Sequence, residues 1–201
     1  EQGWQLRDRA ALPGSGLDAP LRLATLEING APALLAYGAQ SGVLQGVWHP
    51  AEGGLMPFSL ALQGAAPQAL TALVPVTLAG NSYLVSAARQ GEGLAVWALQ
   101  GADRLVPVAQ SAVSQVFRGN DIFALEHVRL AGQDYVLALS ATQNRLTSLA
   151  LSADGSLQLA QSIDPAAGLF VAKPTHLEVV QVAGQPYALV GAAASSSLAA
   201  V

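Results

Sequence analysis

Cysteine is absent from the 201 residues. Disulfides, thiolate nucleophiles and cysteine-ligated zinc or iron centres are thereby excluded. Charge is scarce as well: Asp, Glu, Lys and Arg make up 11% of the chain, well under the usual quarter. Lysine occurs once, as Lys173, and no cluster of basic residues forms. With a net charge of −4, this argues against a nucleic-acid binder. A long clean apolar run is also missing. Gly53 to Ala88 carries no formal charge, yet Pro57, Gly64, Pro67, Pro75 and Gly80 break it up. No stretch of about 20 apolar residues survives to span a membrane. The chain opens on Glu1 instead of Met, which a processed amino terminus and a trimmed one explain equally. Its bias to Ala, Gly and Arg is that of a high-GC bacterial genome.

Apolar residues, by contrast, reach 52%, enough for a substantial core. They recur with a period. The turn glycines Gly30, Gly80, Gly132 and Gly184 are spaced by 50, 52 and 52 residues. Tyr83, Tyr135 and Tyr187 stand three residues after the last three, where the first unit has Ala33. Leu44, Leu94, Leu146 and Leu198 stand fourteen after all four, and Leu55, Leu105 and Leu157 stand 25 after the first three. Several columns in register define a repeat of about fifty residues. The columns themselves read as structural: glycines for turns, leucines and tyrosines for packing between sheets.

Each unit predicts four strands. In the third, "FALEHVRLAG" alternates, "YVLALSA" is a continuous apolar run, and "LTSLALS" is joined to "LQLAQSI" by the hairpin signal "ADG". Sheets apolar on both faces must stack on one another, and a ring of such sheets is a β-propeller. The expected fold is therefore all-β: a single propeller domain over 1–201 with four four-stranded blades. The repeats are expected at about 20–63, 68–112, 121–165 and 174–201, the last completed by 1–13. That completion rests on spacing. Trp4 precedes Gly30 by 26 residues, against 25, 27 and 27 for the corresponding leucines. The segment "WQLRDRA" would then join the last blade and close the ring. Three assemblies stay open: a four-bladed ring, half of an eight-bladed ring made by two chains, or part of a longer protein.

These blades, for instance "VRLAGQDYVLALSATQNRLTSLALSADGSLQLAQSI", resemble lactonase-like propeller repeats. More narrowly, they are similar to the propeller segments of alphaproteobacterial hemolysin-type calcium-binding secreted proteins. The resemblance implies a propeller fold and a secreted or cell-surface bacterial protein. Its calcium-binding nonapeptide is missing, and "GND" at 119–121 is an isolated triplet. The acidic and Asn constellation of a sugar-lactone metal site is missing too. No cofactor is expected, with calcium the one ion to consider.

Chemistry-bearing residues are few. His49, His127 and His176 fall at different repeat positions, which disfavours a three-histidine metal site. Glu126 and Glu178 share a column six residues before the glycine, on inner strands of adjacent blades. If both point inward they are candidate metal-site carboxylates, able to share a cation or raise one another's pKa. No nucleophile elbow occurs, since "LPGSGLD" lacks the strand-to-helix context. The stronger expectation is a binding face on the two longest loops, "VSQVFRGNDIF" and "DPAAGLFVAKPTH". Phe117, Arg118, Asn120, Asp121, Phe170, Lys173 and His176 are its candidate residues. Aromatic, cationic and amide groups together suit a sugar ring or a loop of a protein partner. The expected function is a non-enzymatic interaction or ligand-binding module of a secreted or surface assembly, acting alone, as a homodimer or within a larger complex. The alternative is a lactonase-like, metal-assisted hydrolase using the channel carboxylates.

Overall fold

A computed structural model describes residues 8–12, 21–28, 30–38, 43–62, 70–88, 94–108 and 121–201. Among them the chain is all-β apart from 3-10 turns at Asp121 and at Pro165–Ala167. Fifteen strands follow in order. They are β1 (Leu21–Ile28), β2 (Ala31–Gly38), β3 (Leu44–Trp48), β4 (Met56–Leu62), β5 (Leu70–Leu78), β6 (Asn81–Ala88), β7 (Leu94–Gln100) and β8 (Arg104–Pro107). Then come β9 (Ile122–Leu130), β10 (Gln133–Ser140), β11 (Arg145–Leu151), β12 (Leu157–Ile163), β13 (Pro174–Val182), β14 (Gln185–Ala192) and β15 (Ser197–Ala200). No helix among the described residues is long and apolar enough to cross a membrane.

Consecutive strands pair antiparallel in four groups: β1 to β4, β5 to β8, β9 to β12 and β13 to β15. The periodic glycines close their first hairpins. Ala79, Ala131 and Ala183 take φ of 47°, 48° and 51°, each followed by a glycine with φ near 80°. Two successive positive φ values form the tight turn whose twist matches the flanking strands, and only glycine enters the second position without a Cβ penalty. The first two groups are also joined at their outer edges. β4 runs parallel to β8 through Ala61↔Arg104 and Leu62↔Leu105, and the Ala61 N–H donates to the Asp103 carbonyl at 2.8 Å. They thus make one eight-stranded sheet.

The groups stack face to face through three cores. Leu26, Ile28, Leu35 and Leu44 of the first meet Leu73, Leu84 and Trp97 of the second. Val76, Val85, Leu94 and Val96 of the second meet Leu125, Val136 and Leu149 of the third. Leu137, Leu139 and Leu146 of the third meet Leu177, Ala188 and Val190 of the fourth. Each buried leucine contributes about 1.5–3 kcal/mol, so these seams hold the stack.

The segment expected from the spacing of Trp4 to close the ring falls mostly outside the described residues. Residues 1–7 lie outside them, and 8–12 form no strand. Asp8 Oδ2 accepts from the Leu55 N–H at 2.8 Å, beside the β3–β4 connection of the first group. That bond and one from the Arg9 N–H hold the Asp8 carboxyl below its ordinary pKa. Among the described residues the fourth group has three strands, with β15 at its edge, and no described core joins it to the first.

Candidate functional site

Two places concentrate polar chemistry. The first is the loop between β12 and β13. Asp164 caps its helical turn, accepting from the Ala166 and Ala167 N–H groups at 3.0 and 3.1 Å, and Arg145 pairs with it at 3.6 Å. Gly168 leaves the turn at φ 100°. Leu169 and Val171 then plunge into the core between the third and fourth groups, leaving Phe170 between them 79% exposed. The far end is tied as firmly. The Ala172 N–H donates to Ser195 Oγ at 3.2 Å, and the Lys173 N–H donates to Asn144 Oδ1 at 2.9 Å. Lys173 holds a left-handed φ of 50°, which an L side chain adopts only when its surroundings enforce it. His176, exposed at the start of β13, lies 3.3 Å from Glu178. The loop is a fixed platform that projects Phe170.

Of the expected binding residues, Phe170, Lys173 and His176 therefore lie on one loop and the strand it feeds. Phe117, Arg118 and Asn120 fall outside the described residues. Asp121 is a correction. It is 7% exposed, and its carboxylate accepts from Ser140 Oγ and, at 2.8 Å, from the Thr142 N–H. It braces the β10–β11 turn and is not offered to a ligand. Burial alone would raise its pKa; the hydrogen bonds from Ser140 and Thr142 outweigh that and hold it below the ordinary carboxylate value.

The second place is the channel between inner strands β1, β5 and β9, a cavity of about 410 Å³ lined by Thr25, Pro75, Glu126 and His127 among others. Arg22 reaches from β1 to the Phe123 carbonyl of β9, 3.2 Å away, tying the first group to the third. Glu126 is partly buried. Burial chiefly, and then the Glu178 carboxylate, push its pKa up, against a smaller opposing effect of His176. Glu126 and Glu178 are thus near enough to act on one another. Leu177 and Val179 pack toward the third group, so Glu178 between them lies on the opposite, exposed face of β13. Among the described residues no three His, Asp or Glu side chains gather at metal-ligating distance.

His127 was visible in the sequence, but its partner was not. Its Nε2 lies 2.9 Å from Asp134 Oδ1, and Arg129 approaches the same carboxylate at 4.0 Å. The signal was available in the hairpin register, which sets Arg129 opposite Asp134 and brings His127 diagonally to it. His49 stands apart, its Nδ1 near the Pro50 carbonyl.

No protein-family model and no curated protein matches the chain. Solved structures do. A thermostable family-43 glycoside hydrolase aligns with a TM-score of 0.58 and 14% identity, over 88% of this chain and 66% of that one. The GH43_1 enzyme of Xanthomonas citri aligns at 0.52 and 15%, over 89% and 67%. An exo-β-1,3-galactanase of Phanerochaete chrysosporium aligns at 0.56 and 8%, over 85% and 43%. The chain thus spans about two thirds or less of these proteins' lengths. No sequence match ties it to hemolysin-type calcium-binding proteins. At such identities the likeness is one of architecture, and it establishes an all-β chain of propeller type.

Proposed function

We propose that the chain provides four propeller blades serving as a non-enzymatic, glycan-binding module of a secreted or surface-associated bacterial assembly. The observation that carries this reading is Phe170. A large apolar ring held in water on a loop pinned at both ends is preorganised for a partner, because little entropy remains to be lost on binding. An aromatic face stacks on the C–H face of a sugar, and Lys173 and His176, on the same loop and the strand it feeds, carry further hydrogen-bond donors. The fold kinship with proteins named for carbohydrate chemistry favours a glycan over a protein loop as the ligand. Affinity electrophoresis through gels of galactan, arabinan, xylan and levan tests it. At least one polysaccharide should retard the protein, and Phe170→Ala should weaken that retardation about tenfold or more at unchanged melting temperature. No retardation by any of them, or a Phe170→Ala protein that binds as before, would count against the reading.

The raised pKa of Glu126 favours a second reading, a hydrolase with a channel carboxyl as proton donor. Under it, aryl glycosides or lactones should be cleaved, with divalent metal added, and Glu126→Gln should abolish the turnover. Stability responds whichever reading holds. A carboxyl whose folded pKa is raised favours the folded state below its unfolded pKa, and that contribution is lost as pH rises through the folded value. Glu126→Gln should therefore gain in melting temperature, relative to the parent, between pH 4 and pH 8. A gain that stays constant across that range would show that Glu126 is not disfavoured as a charge.

A further inference from the structure

The repeat columns show which way each sheet faces. Leu44, Leu94 and Leu146 pack toward the following group, in the first, second and third seams respectively. Seven residues before each turn glycine lies a leucine in every unit: Leu23, Leu73, Leu125 and Leu177. Leu73, Leu125 and Leu177 pack toward the preceding group in those same three seams. One forward-facing and one backward-facing leucine thus meet at every interface.

Among the described residues, two members of these columns have no facing group to meet. Leu198, the forward-facing leucine of the fourth group, is 70% exposed where its equivalent Leu146 is 4%. Leu23, the backward-facing leucine of the first group, is 61% exposed where Leu73 is 8%. Their neighbours agree. Tyr187 and Leu34 are exposed, whereas their equivalents Tyr83 and Leu84 are buried. Each end of the stack therefore presents a face of the type that is covered everywhere else.

We propose that the partner of these faces is a second copy of this chain, the fourth group of one packing on the first group of the other, so that two such seams close a ring of eight sheets. The match favours a second copy. The outward face of the fourth group carries the forward columns and that of the first carries the backward ones. One seam between copies would join the same two leucine columns that meet in the chain's three seams, without the β4–β8 edge pairing found in the first. Two seams close the assembly with two-fold symmetry and leave neither face exposed. This inference does not depend on the ligand of the loop platform.

Light scattering and sedimentation equilibrium on the full chain test it. The mass should be twice the 20.5 kDa of the chain. Leu198→Arg and Leu23→Arg should each weaken dimerisation at least tenfold with unchanged circular dichroism, because both positions are exposed in the single chain. Leu159→Arg, at an exposed leucine of β12 outside both faces, should leave the dimer intact. Mixing the Leu198→Arg and Leu23→Arg proteins should restore a weaker dimer through the one seam still intact. A wild-type monomer at about 100 µM, or a dimer untouched by both end-face substitutions, would overturn the proposal.

Discussion

Gly46→Ala is expected to destabilise the protein by about 3 kcal/mol or more, the upper range for forcing a carbon into a packed core. The reason is space. Gly46 lies on β3, paired with Leu35 of β2 on one side and with Phe58 of β4 on the other. A Cβ built there would strike the Leu34 carbonyl oxygen and come within 2.6 Å of Phe58 Cζ. The aromatic ring lies over the glycine, covering backbone that has no side chain of its own. Phe58→Leu in the Gly46→Ala background should relieve the ring contact but not the carbonyl contact, so only part of the loss should return. Urea unfolding of the single and double variants measures this. A Gly46→Ala protein within about 0.5 kcal/mol of the parent would mean that the first group is not packed as described.

Asp121→Ala should cost a comparable amount, about 3 kcal/mol, because it orphans the buried Ser140 hydroxyl and the Thr142 N–H together. Asp121→Asn, which keeps one acceptor oxygen, should lose less. The pH dependence has a definite sign. The folded pKa is depressed, so the stabilisation is fully present above the unfolded pKa and is lost as pH falls through the folded value. Parent and Asp121→Asn stability should therefore converge on acidification below about pH 4, the ordinary aspartate range. Denaturation curves at stepped pH give the comparison, and a gap that is the same at pH 3 and pH 7 would contradict the role assigned to this carboxylate.

The strands and their order were legible because glycine, tyrosine and leucine recur at fixed offsets, and because a continuous apolar run distinguishes a strand lying between two sheets. What escaped was set by contacts between distant residues. Asp121 looked like a loop residue within "FRGND", and only Ser140, nineteen positions on, makes it a buried brace. The bond from the Leu55 N–H to Asp8 is another contact between distant residues that no repeat column announces. Phe170 and Lys173 were found by composition. The rigidity that gives them meaning comes from Asn144 and Ser195, which no local pattern connects to that loop. The column of Leu23, Leu73, Leu125 and Leu177 was present in the sequence from the start. Its meaning needed the sheets, because direction along the stack is not a property of a single strand.

A chain with no native cysteine allows the stacking to be measured one position at a time. Single substitutions to cysteine at Leu73, Leu94, Leu125, Leu146 and Leu177 should resist a thiol reagent at every protein concentration, each lying within a seam. Leu23→Cys and Leu198→Cys should react quickly in dilute solution and become protected as concentration rises. Equal reactivity along both columns, or fast labelling at Leu125 and Leu146, would mean that these sheets do not cover one another.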